Sequence, residues 1–310
     1  MSLFPSRNAR VASAARATRS TRTARKGLAA SAAAILAAIT LTACSAESGD
    51  TDATNGAEPA VGFRDVATIQ EAGSVKIGVF SDKSPFGYVD SNGEFAGYDI
   101  EYGNRLGEDL GVNVEYVPVE AASRVEFLDT NKVDIILANF TVTPERQEKV
   151  DYANPYMKVS LGAVTPDNAP IDSVEGLEGK NVIVVKGTTA EAYLEKNHPE
   201  IKLTKFEQYT EATNALLDGR GDAWVTDNTE ALAWAGKTDG FSATIPTLGE
   251  TDTIAGAVAK GNDDLREWMN NELVDLGKEN FFHNAYEKTL KPVYGDAVSA
   301  DDLVVEGGQL

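Results

Sequence analysis

The chain has 310 residues, with 48 Asp and Glu against 28 Lys and Arg, which gives a formal net charge of −20 at pH 7. Such an acidic composition argues against nucleic acid and anionic membrane surfaces as partners, since both attract basic proteins. Seven of the 28 bases lie in the first 26 residues and all 48 acids follow residue 43, so residues 44–310 carry a formal charge of −27.

The first 43 residues predict a secretory signal peptide. A basic segment without acids, 1–26, precedes a run of about 15 small and apolar residues, 27–41, which is too short to span a membrane. The run leads to Cys44, the only cysteine in the chain, and residues 41–44 resemble the bacterial lipobox, in which the cysteine is acylated. We therefore expect lipidation of Cys44 and anchoring of a secreted protein to the outer face of the cell membrane. A chance cysteine at the end of an ordinary signal is the alternative.

The segment 44–62 contains small and polar residues and no aromatic residue. It cannot form a core, so we expect a disordered tether. The rest of the chain, about 248 residues, is long enough for one large domain or two modest ones.

Two series of short strands and helices follow in the chain. The first series is predicted to comprise strands 75–80, 112–117 and 133–138 and helices 100–110 and 124–131. The second is predicted to comprise strands 181–185, 201–206 and 223–226 and helices 189–197, 211–218 and 228–235. Gly111 is placed to end the first helix, and Ser123 with Glu126 matches a capping box for the next. Alternation of this kind predicts mostly parallel sheets covered by helices, an α/β fold.

Segment 159–165 joins the two series, and the β-like segment 254–259 follows the second, before helical sequence from Asp264 onward. Two extended segments between two α/β lobes would form a hinge. One continuous doubly wound sheet explains the same pattern, and the pattern leaves both architectures open.

Five segments carry a family resemblance. In chain order they are KIGVF (76–80) with Pro85-Phe86, GYDIE (97–101), TVTPER (141–146) with VDY (150–152), KGTTA (186–190) and GDAWVTD (221–227). Together they resemble the polar amino acid solute-binding proteins of ABC importers (family 3), and the similarity extends over 63–310.

The resemblance implies a type II periplasmic-binding-protein fold, with two Rossmann-like lobes joined by two crossing strands. Lobe 1 is expected to contain 63–164 and 251–310, and lobe 2 to contain 165–250. It further implies a monomer that closes over one amino acid, without cofactor or metal, and delivers it to the permease and ATPase subunits of an ABC importer.

An amino acid zwitterion needs a cationic partner for its carboxylate and an anionic partner for its ammonium. Thr143-Pro144-Glu145 predicts a helix start, whose N–H groups favour anions. The resemblance implies that Arg146 grips the ligand α-carboxylate, assisted by the Thr141 hydroxyl and the backbone of Asn139. A surface Arg146 paired with Glu145 or Asp151 is the alternative.

Two further segments are assigned to the opposite side of the site. Thr188 with Glu191 forms a second capping box, and the resemblance implies that the amides of Thr188 and Thr189 close onto the same carboxylate. Asp227 ends a strand where α/β crevices form, and the resemblance implies that it takes the ligand ammonium. Capping the helix 228–235 is the alternative for Asp227.

The side chain of the ligand is the open question. In family members that bind aspartate or glutamate, an Arg placed like Arg124 reaches the side-chain carboxylate; pairing with Glu120 or Glu126 on an exposed helix is the alternative. Residues 119–128 resemble a cysteine-binding lipoprotein of the family, as do VDIILANFT (133–141), FFHNAY (281–286) and VVEGG (304–308). Cysteine is therefore favoured, with aspartate, glutamate or glutamine as alternatives.

The end of the first strand departs from the family pattern, because Phe80 stands where an acidic residue is usual. This argues against a cationic ligand, which would need additional carboxylates. Phe86 is expected either to line the ligand or to lie in the core.

Two other functional classes are possible from the sequence. One is a carboxylate-dependent dehydratase, against which it counts that neither of the two histidines lies in a motif. The other is a surface adhesin or a sensor domain.

Overall fold

Helices and strands alternate along residues 62–310, the part of the chain that the computed structural model describes. The predicted signal peptide, Cys44 and the predicted tether up to residue 61 lie outside the described residues. Within 62–310, no helix has the length and apolar character needed to cross a membrane.

The strands share one large sheet and one small sheet. They are β1 (Ser74–Val79), β2 (Asp82–Lys83), β3 (Gly87–Val89), β4 (Phe95–Ala96), β5 (Asn113–Pro118), β6 (Ile135–Ile136), β7 (Val150–Pro166), β8 (Asn181–Val185), β9 (Lys202–Phe206), β10 (Ala223–Asp227) and β11 (Phe241–Ala259).

The helices are α1 (Val66–Ala72), α2 (Tyr98–Leu110), α3 (Arg124–Asp129), α4 (Pro144–Gln147), α5 (Thr189–Asn197), α6 (Tyr209–Leu217), α7 (Asn228–Ala235), α8 (Asp263–Lys278), α9 (Phe281–Thr289), α10 (Lys291–Tyr294) and α11 (Ala300–Leu303). Most of them pack on a sheet face through buried apolar residues.

The large sheet has the strand order β5-β1-β6-β11-β7-β10-β8-β9. β1 runs parallel to β5 and β6 at one end, and β8 runs parallel to β9 and β10 at the other. We call the first group, with its helices and the small sheet β2-β3-β4, the first lobe, and the second group with its helices the second lobe.

The two central strands belong to both lobes. β7 and β11 pair antiparallel with each other, from Val150 opposite Ala259 to Pro166 opposite Phe241, and the register shifts several times along the way. β11 meets the first lobe through β6, and β7 meets the second lobe through β10. The hydrogen bonding is therefore continuous across the sheet, while the parallel strands form two groups joined by two crossing strands. The predicted boundaries at 164/165 and 250/251 remain a prediction, because contacts join both lobes in one compact unit.

The apolar core follows this division. One cluster lies mainly in the first lobe around β1, α2, α8 and α9, and another lies in the second lobe around β8 and α5. A third cluster contains residues of both lobes, such as Phe80 and Ile136 with Ile183 and Trp224. The lobes are thus packed against each other near the crossing strands.

Helices 189–197 and 228–235 and strand 181–185 have the bounds predicted from sequence, and Gly111 ends α2 in the left-handed conformation as expected. The predicted capping box of α3 is wrong, since Ser123 makes no capping hydrogen bond. A 3-10 turn (Ala121–Ser123) already leads into α3, and the Glu126 carboxylate accepts instead from Lys132 at 3.0 Å.

Candidate functional site

The candidate site lies between the two lobes, where several strands end. β1 leads to Phe80, β6 to the segment 137–143, β8 to Gly187 and β10 ends at Asp227. The carboxyl ends of parallel strands are where α/β folds form ligand crevices. The motifs found along the sequence therefore meet at one place.

Arg146 is held by a short helix start. Thr143 caps α4 by accepting from the Arg146 amide at 3.3 Å, and Pro144 occupies the first turn, as predicted. Because α4 has only four residues, the positive charge here comes from the guanidinium more than from a helix dipole. Nη1 donates to the Thr141 carbonyl at 2.7 Å and Nη2 to the Gly187 carbonyl at 2.9 Å. These are the only hydrogen bonds that its guanidinium donates within residues 62–310.

Arg124 is 2% exposed, which excludes the alternative of an exposed helix residue paired with Glu120 or Glu126. Its Nε donates to the Ala121 carbonyl at 2.9 Å and its Nη2 to the Gly187 carbonyl at 3.0 Å. Nη1 donates to the carbonyls of residues 138 and 139 at 2.9 and 3.4 Å. All three nitrogens of this guanidinium therefore donate to backbone carbonyls.

The two guanidiniums form a cationic wall. Both lie against the buried ring of Phe140, with Cζ to centroid distances of 4.3 Å for Arg124 and 4.8 Å for Arg146. Neither forms a salt bridge with an acid of residues 62–310. Burial, with the neighbouring charge of Arg146, lowers the pKa of Arg124 to about 10. An anion bound here would relieve this repulsion.

A second charged cluster, which contains two acids and one lysine, lies in the same region between the lobes. Asp227 occupies the N-cap position of α7, but its side chain makes no capping hydrogen bond, which corrects the capping alternative. Its Oδ2 lies 2.6 Å from Lys83 Nζ instead. Glu230 lies 3.2 Å from the same ammonium and accepts from the Thr226 hydroxyl at 2.6 Å. The Tyr209 hydroxyl lies 3.2 Å from Lys83 Nζ. This cluster joins a lysine of the first lobe to acids of the second.

The pKa shifts follow from burial and charge. Burial acts to lower the pKa of Lys83, but the charges of Asp227 and Glu230 outweigh it and raise that pKa well above its ordinary value. Burial raises the pKa of Glu230 to about 7, against the opposing effect of the Lys83 charge. The ammonium is therefore fixed in its charged form, while the Glu230 carboxyl can exchange its proton near neutral pH.

Asn139 takes a different position from the one expected. Its backbone N–H donates to Asp99 Oδ2 at 2.9 Å, so that amide is already engaged. Its side chain is buried, and both the amide nitrogen and the amide oxygen lack a partner within the described chain. A positive φ of 43° turns this residue out of the strand direction. The free polar group of Asn139 is therefore its side chain and not its backbone.

Asp99 supports Asn139 from the first-lobe core. It is fully buried, and its Oδ1 accepts from the Tyr156 hydroxyl at 2.6 Å. Burial raises the pKa of Asp99 to about 6, although the hydrogen bonds from Tyr156 and Asn139 favour the charged form.

The second lobe closes the site with the turn after β8. Thr188 caps α5 as predicted, accepting from the Glu191 amide at 3.3 Å, while the Glu191 carboxylate accepts from Gly187 N–H at 2.7 Å. The backbone N–H groups of Thr188 and Thr189 form no hydrogen bond within residues 62–310. Gly187 has φ of 72°, and a Cβ there would lie 2.5 Å from the Ala122 Cα of the first lobe. Only glycine allows this approach of the lobes.

Thr141 and Phe86 lie at the edges of the same region. The Thr141 carbonyl accepts from Arg146 and from the Tyr152 hydroxyl at 3.1 Å, so the structure engages its backbone where a role for its hydroxyl was expected. Phe86 is fully buried in the first-lobe core, and its ring centroid lies 5.8 Å from Lys83 Nζ. It therefore serves the core and borders the charged cluster.

Sequence reasoning missed Lys83, Glu230, Phe140 and Asp99. Glu230 carried a usable signal, since a carboxylate three residues after Asp227 at a helix start lies on the same side. Lys83 carried none, because it lies in a two-residue strand outside the recognised motifs and reaches Asp227 across 144 residues of sequence.

A groove of about 560 Å³ opens onto the Arg146 side of the region, and its volume is within the range typical of small-molecule sites. Arg146, Thr188, Thr189 and Asp252 are among the residues that line it. It gives solvent a path to the Arg146 guanidinium.

Residues 75–292 match the family described as bacterial extracellular solute-binding proteins, family 3. An L-cysteine solute receptor of Neisseria gonorrhoeae is 51% identical, with a TM-score of 0.77 over 78% of this chain and 100% of that chain. A cysteine-binding protein of Campylobacter jejuni is also 51% identical, with a TM-score of 0.77 over 78% of this chain and 98% of that chain. An ABC transporter glutamine-binding protein of Bacillus subtilis is 30% identical over 232 residues, which cover 73% of this chain and 84% of that protein. These matches confirm the predicted type II periplasmic-binding-protein fold.

Proposed function

Because this chain belongs to the family 3 bacterial extracellular solute-binding proteins, we propose that it captures L-cysteine outside the cytoplasm for an ABC importer. One observation carries the proposal: Arg124 and Arg146 have no acidic partner among residues 62–310, and the Asp227 and Glu230 carboxylates of the second lobe lie in the same region. A neutral zwitterion complements both surfaces at once, whereas neither lobe alone offers both charges.

The carboxylate is assigned to Arg146. Its guanidinium keeps three N–H groups beyond the two that hold the Thr141 and Gly187 carbonyls, and a planar fork matches a carboxylate in two contacts. The unpaired backbone N–H groups of Thr188 and Thr189 face the same groove from the second lobe. They complete the carboxylate site when the lobes close.

The ammonium is assigned to Asp227. Its Oδ2 binds Lys83, and when Glu230 is ionised the two carboxylates exceed the single positive charge of that lysine. The surplus negative charge favours a second ammonium. The buried and unpaired side-chain amide of Asn139 is available to the polar groups of the ligand.

The choice of cysteine over aspartate or glutamate rests on Arg124. Since all three of its nitrogens already bind backbone carbonyls, little of its donor capacity remains for a second carboxylate. The 51% identity to two cysteine-binding proteins supports the same choice. Aspartate, glutamate and glutamine are the alternative ligands, the last supported by the 30% identity to a glutamine-binding protein.

The protein is proposed to bind without catalysing a reaction. Glu230 is the carboxyl that a dehydratase-like enzyme would use as an acid, but the Thr226 hydroxyl and the Lys83 ammonium already engage it. Anchoring through an acylated Cys44, a monomeric state and a hinge near residues 160–165 and 251–256 complete the proposal. Delivery to permease and ATPase subunits follows from the family.

A thermal-shift screen of the common amino acids, with cysteine kept reduced, tests the ligand. A ligand at 100 times its dissociation constant stabilises the native state by about 2.7 kcal/mol, or roughly 5–10 °C for a protein of this size. We expect the largest shift with L-cysteine. No shift with any amino acid would refute the binding function, and a larger shift with glutamate, aspartate or glutamine would replace cysteine as the ligand.

A further inference from the structure

Within the described chain, Lys83 is the one buried cation that contacts the carboxylates of Asp227 and Glu230. It is 1% exposed, and its Nζ lies 2.6 Å from Asp227 and 3.2 Å from Glu230. We propose that Lys83 excludes cationic amino acids, because its ammonium neutralises one of the two carboxylates that would otherwise receive a second positive charge. The inference rests on the proposed binding of an amino acid at Asp227.

The balance of charge is the basis for this role. A ligand ammonium beside Glu230 would lower the pKa of that carboxyl and hold it ionised, so Asp227 and Glu230 then offer two negative charges. Lys83 and the ligand ammonium supply two positive ones. A lysine or arginine ligand would bring a third cation into the same enclosed space. Since a buried charge without a partner is costly, such a ligand is rejected. Without Lys83, the same two carboxylates would suit a ligand with two positive groups.

Lys83 cannot withdraw to make room. Its Nζ lies 4.5 Å from the Tyr209 ring centroid, 5.7 Å from that of Phe80 and 5.8 Å from that of Phe86. The ammonium is thus enclosed by aromatic rings, an arrangement that favours a cation. Its backbone is fixed as well, because Lys83 pairs with Gly87 in the small sheet.

Among the buried acids of residues 62–310, none besides Asp227 and Glu230 is free to serve a cationic side chain, since Asp134 pairs with Arg64. Asp252 lines the groove but is exposed to solvent. The two oxygens of Asp99 accept from Tyr156 and from the Asn139 amide. Phe80 occupies the position after β1 and offers no charge. The preference for a neutral ligand side chain therefore depends on Lys83 and on the absence of a third acid beside it.

The first test is Lys83→Met, which keeps the length of the side chain and removes its charge. Calorimetric titrations with L-cysteine, L-arginine and L-lysine are compared for this variant and wild type. We expect arginine or lysine to bind the variant at least roughly tenfold more tightly than wild type, since one buried charge pair is at stake. Lys132→Met is the matched control, because Lys132 forms an exposed pair with Glu126, and it should keep the wild-type ligand profile.

Two further variants separate charge from packing. Lys83→Arg retains the cation and should still reject arginine and lysine. In the double variant Lys83→Met with Glu230→Gln, one carboxylate remains for one ligand ammonium, so cysteine should again be preferred over the cationic ligands. This double variant removes a buried pair together, which folded proteins tolerate better than the loss of one partner, and it keeps the test available if Lys83→Met does not fold.

The outcomes distinguish the two levels of the proposal. If folded Lys83→Met binds arginine and lysine no better than wild type, the role of Lys83 is refuted. The same conclusion follows if the double variant binds the cationic ligands better than cysteine. If wild type binds no amino acid at all, the proposed function fails before Lys83 is tested.

Discussion

Replacement of Arg146 by alanine removes the positive charge that we propose binds the ligand carboxylate. The variant loses the two hydrogen bonds to the Thr141 and Gly187 carbonyls, at 2.7 and 2.9 Å, and every guanidinium N–H left for the ligand. The Gly187 contact also joins the two lobes, so the loss affects closure together with ligand contact.

The magnitude follows from leaving a ligand charge without its partner. Truncating one member of a buried, hydrogen-bonded charge pair costs about 2–5 kcal/mol, which corresponds to a Kd weaker by a factor of roughly 30 to several thousand. Arg146→Lys should fall between wild type and alanine, because an ammonium keeps the charge but not the planar fork.

Isothermal titration calorimetry with freshly reduced L-cysteine measures this loss directly. Arg266→Ala is the matched control, since Arg266 forms an exposed pair with Asp263 within one helix and such pairs contribute little. The control should bind like wild type. A Kd of Arg146→Ala within a factor of about three of wild type, far below the loss expected for a buried pair, would remove Arg146 from the site.

The remaining predictions concern four other positions. Arg124→Ala should weaken cysteine, aspartate and glutamate binding alike, because this guanidinium holds carbonyls of both lobes; calorimetry that finds only glutamate or aspartate binding lost would instead place a ligand side-chain carboxylate there. Gly187→Ala should hinder closure, since its Cβ would lie 2.5 Å from the Ala122 Cα; small-angle scattering should then lack the ligand-induced compaction of wild type, and normal compaction would contradict the close approach. Asp99 has a pKa raised to about 6 by burial, so the native state holds an extra proton between about pH 4 and 6 and loses on the order of 3 kcal/mol of stability from this group as the pH rises through that range. Asp99→Asn should abolish this loss in urea unfolding across the pH range, and parallel curves for wild type and variant would contradict it. Cys44→Ala should leave the protein soluble and unanchored, and its recovery in the membrane fraction after a high-salt wash would refute lipidation as the anchor.

Local patterns predicted much of the fold. The helix over 189–197 and the strand over 181–185 were predicted with their observed bounds, because capping residues and apolar runs mark them within a few residues. The strand predicted over 133–138 shrinks to Ile135–Ile136, since its continuation turns into the site at Asn139. Whether the lobes share one sheet depended on the pairing of β7 with β11, which lies beyond local pattern.

The candidate site was also predicted only in part, because local motifs mark some of its residues and long-range packing brings in the others. Arg146, Thr188 and Asp227 stand in motifs, and the structure places all three where the two lobes meet. Their roles toward a ligand stay a prediction. The partner of Asp227 could not be predicted, because Lys83 approaches it only after the two lobes have packed. The hydrogen-bond partners of Arg124 could not be predicted either, because they are backbone carbonyls, which every residue type carries.

The central claim is that this chain binds cysteine as a zwitterion between the two lobes. Calorimetric titration of the freshly reduced wild-type protein with L-cysteine, alongside glutamate, aspartate and glutamine, tests it most directly. The account predicts one cysteine per chain with micromolar or tighter affinity and weaker binding of the other three. Absence of detectable cysteine binding, together with micromolar or tighter binding of glutamate, would contradict it.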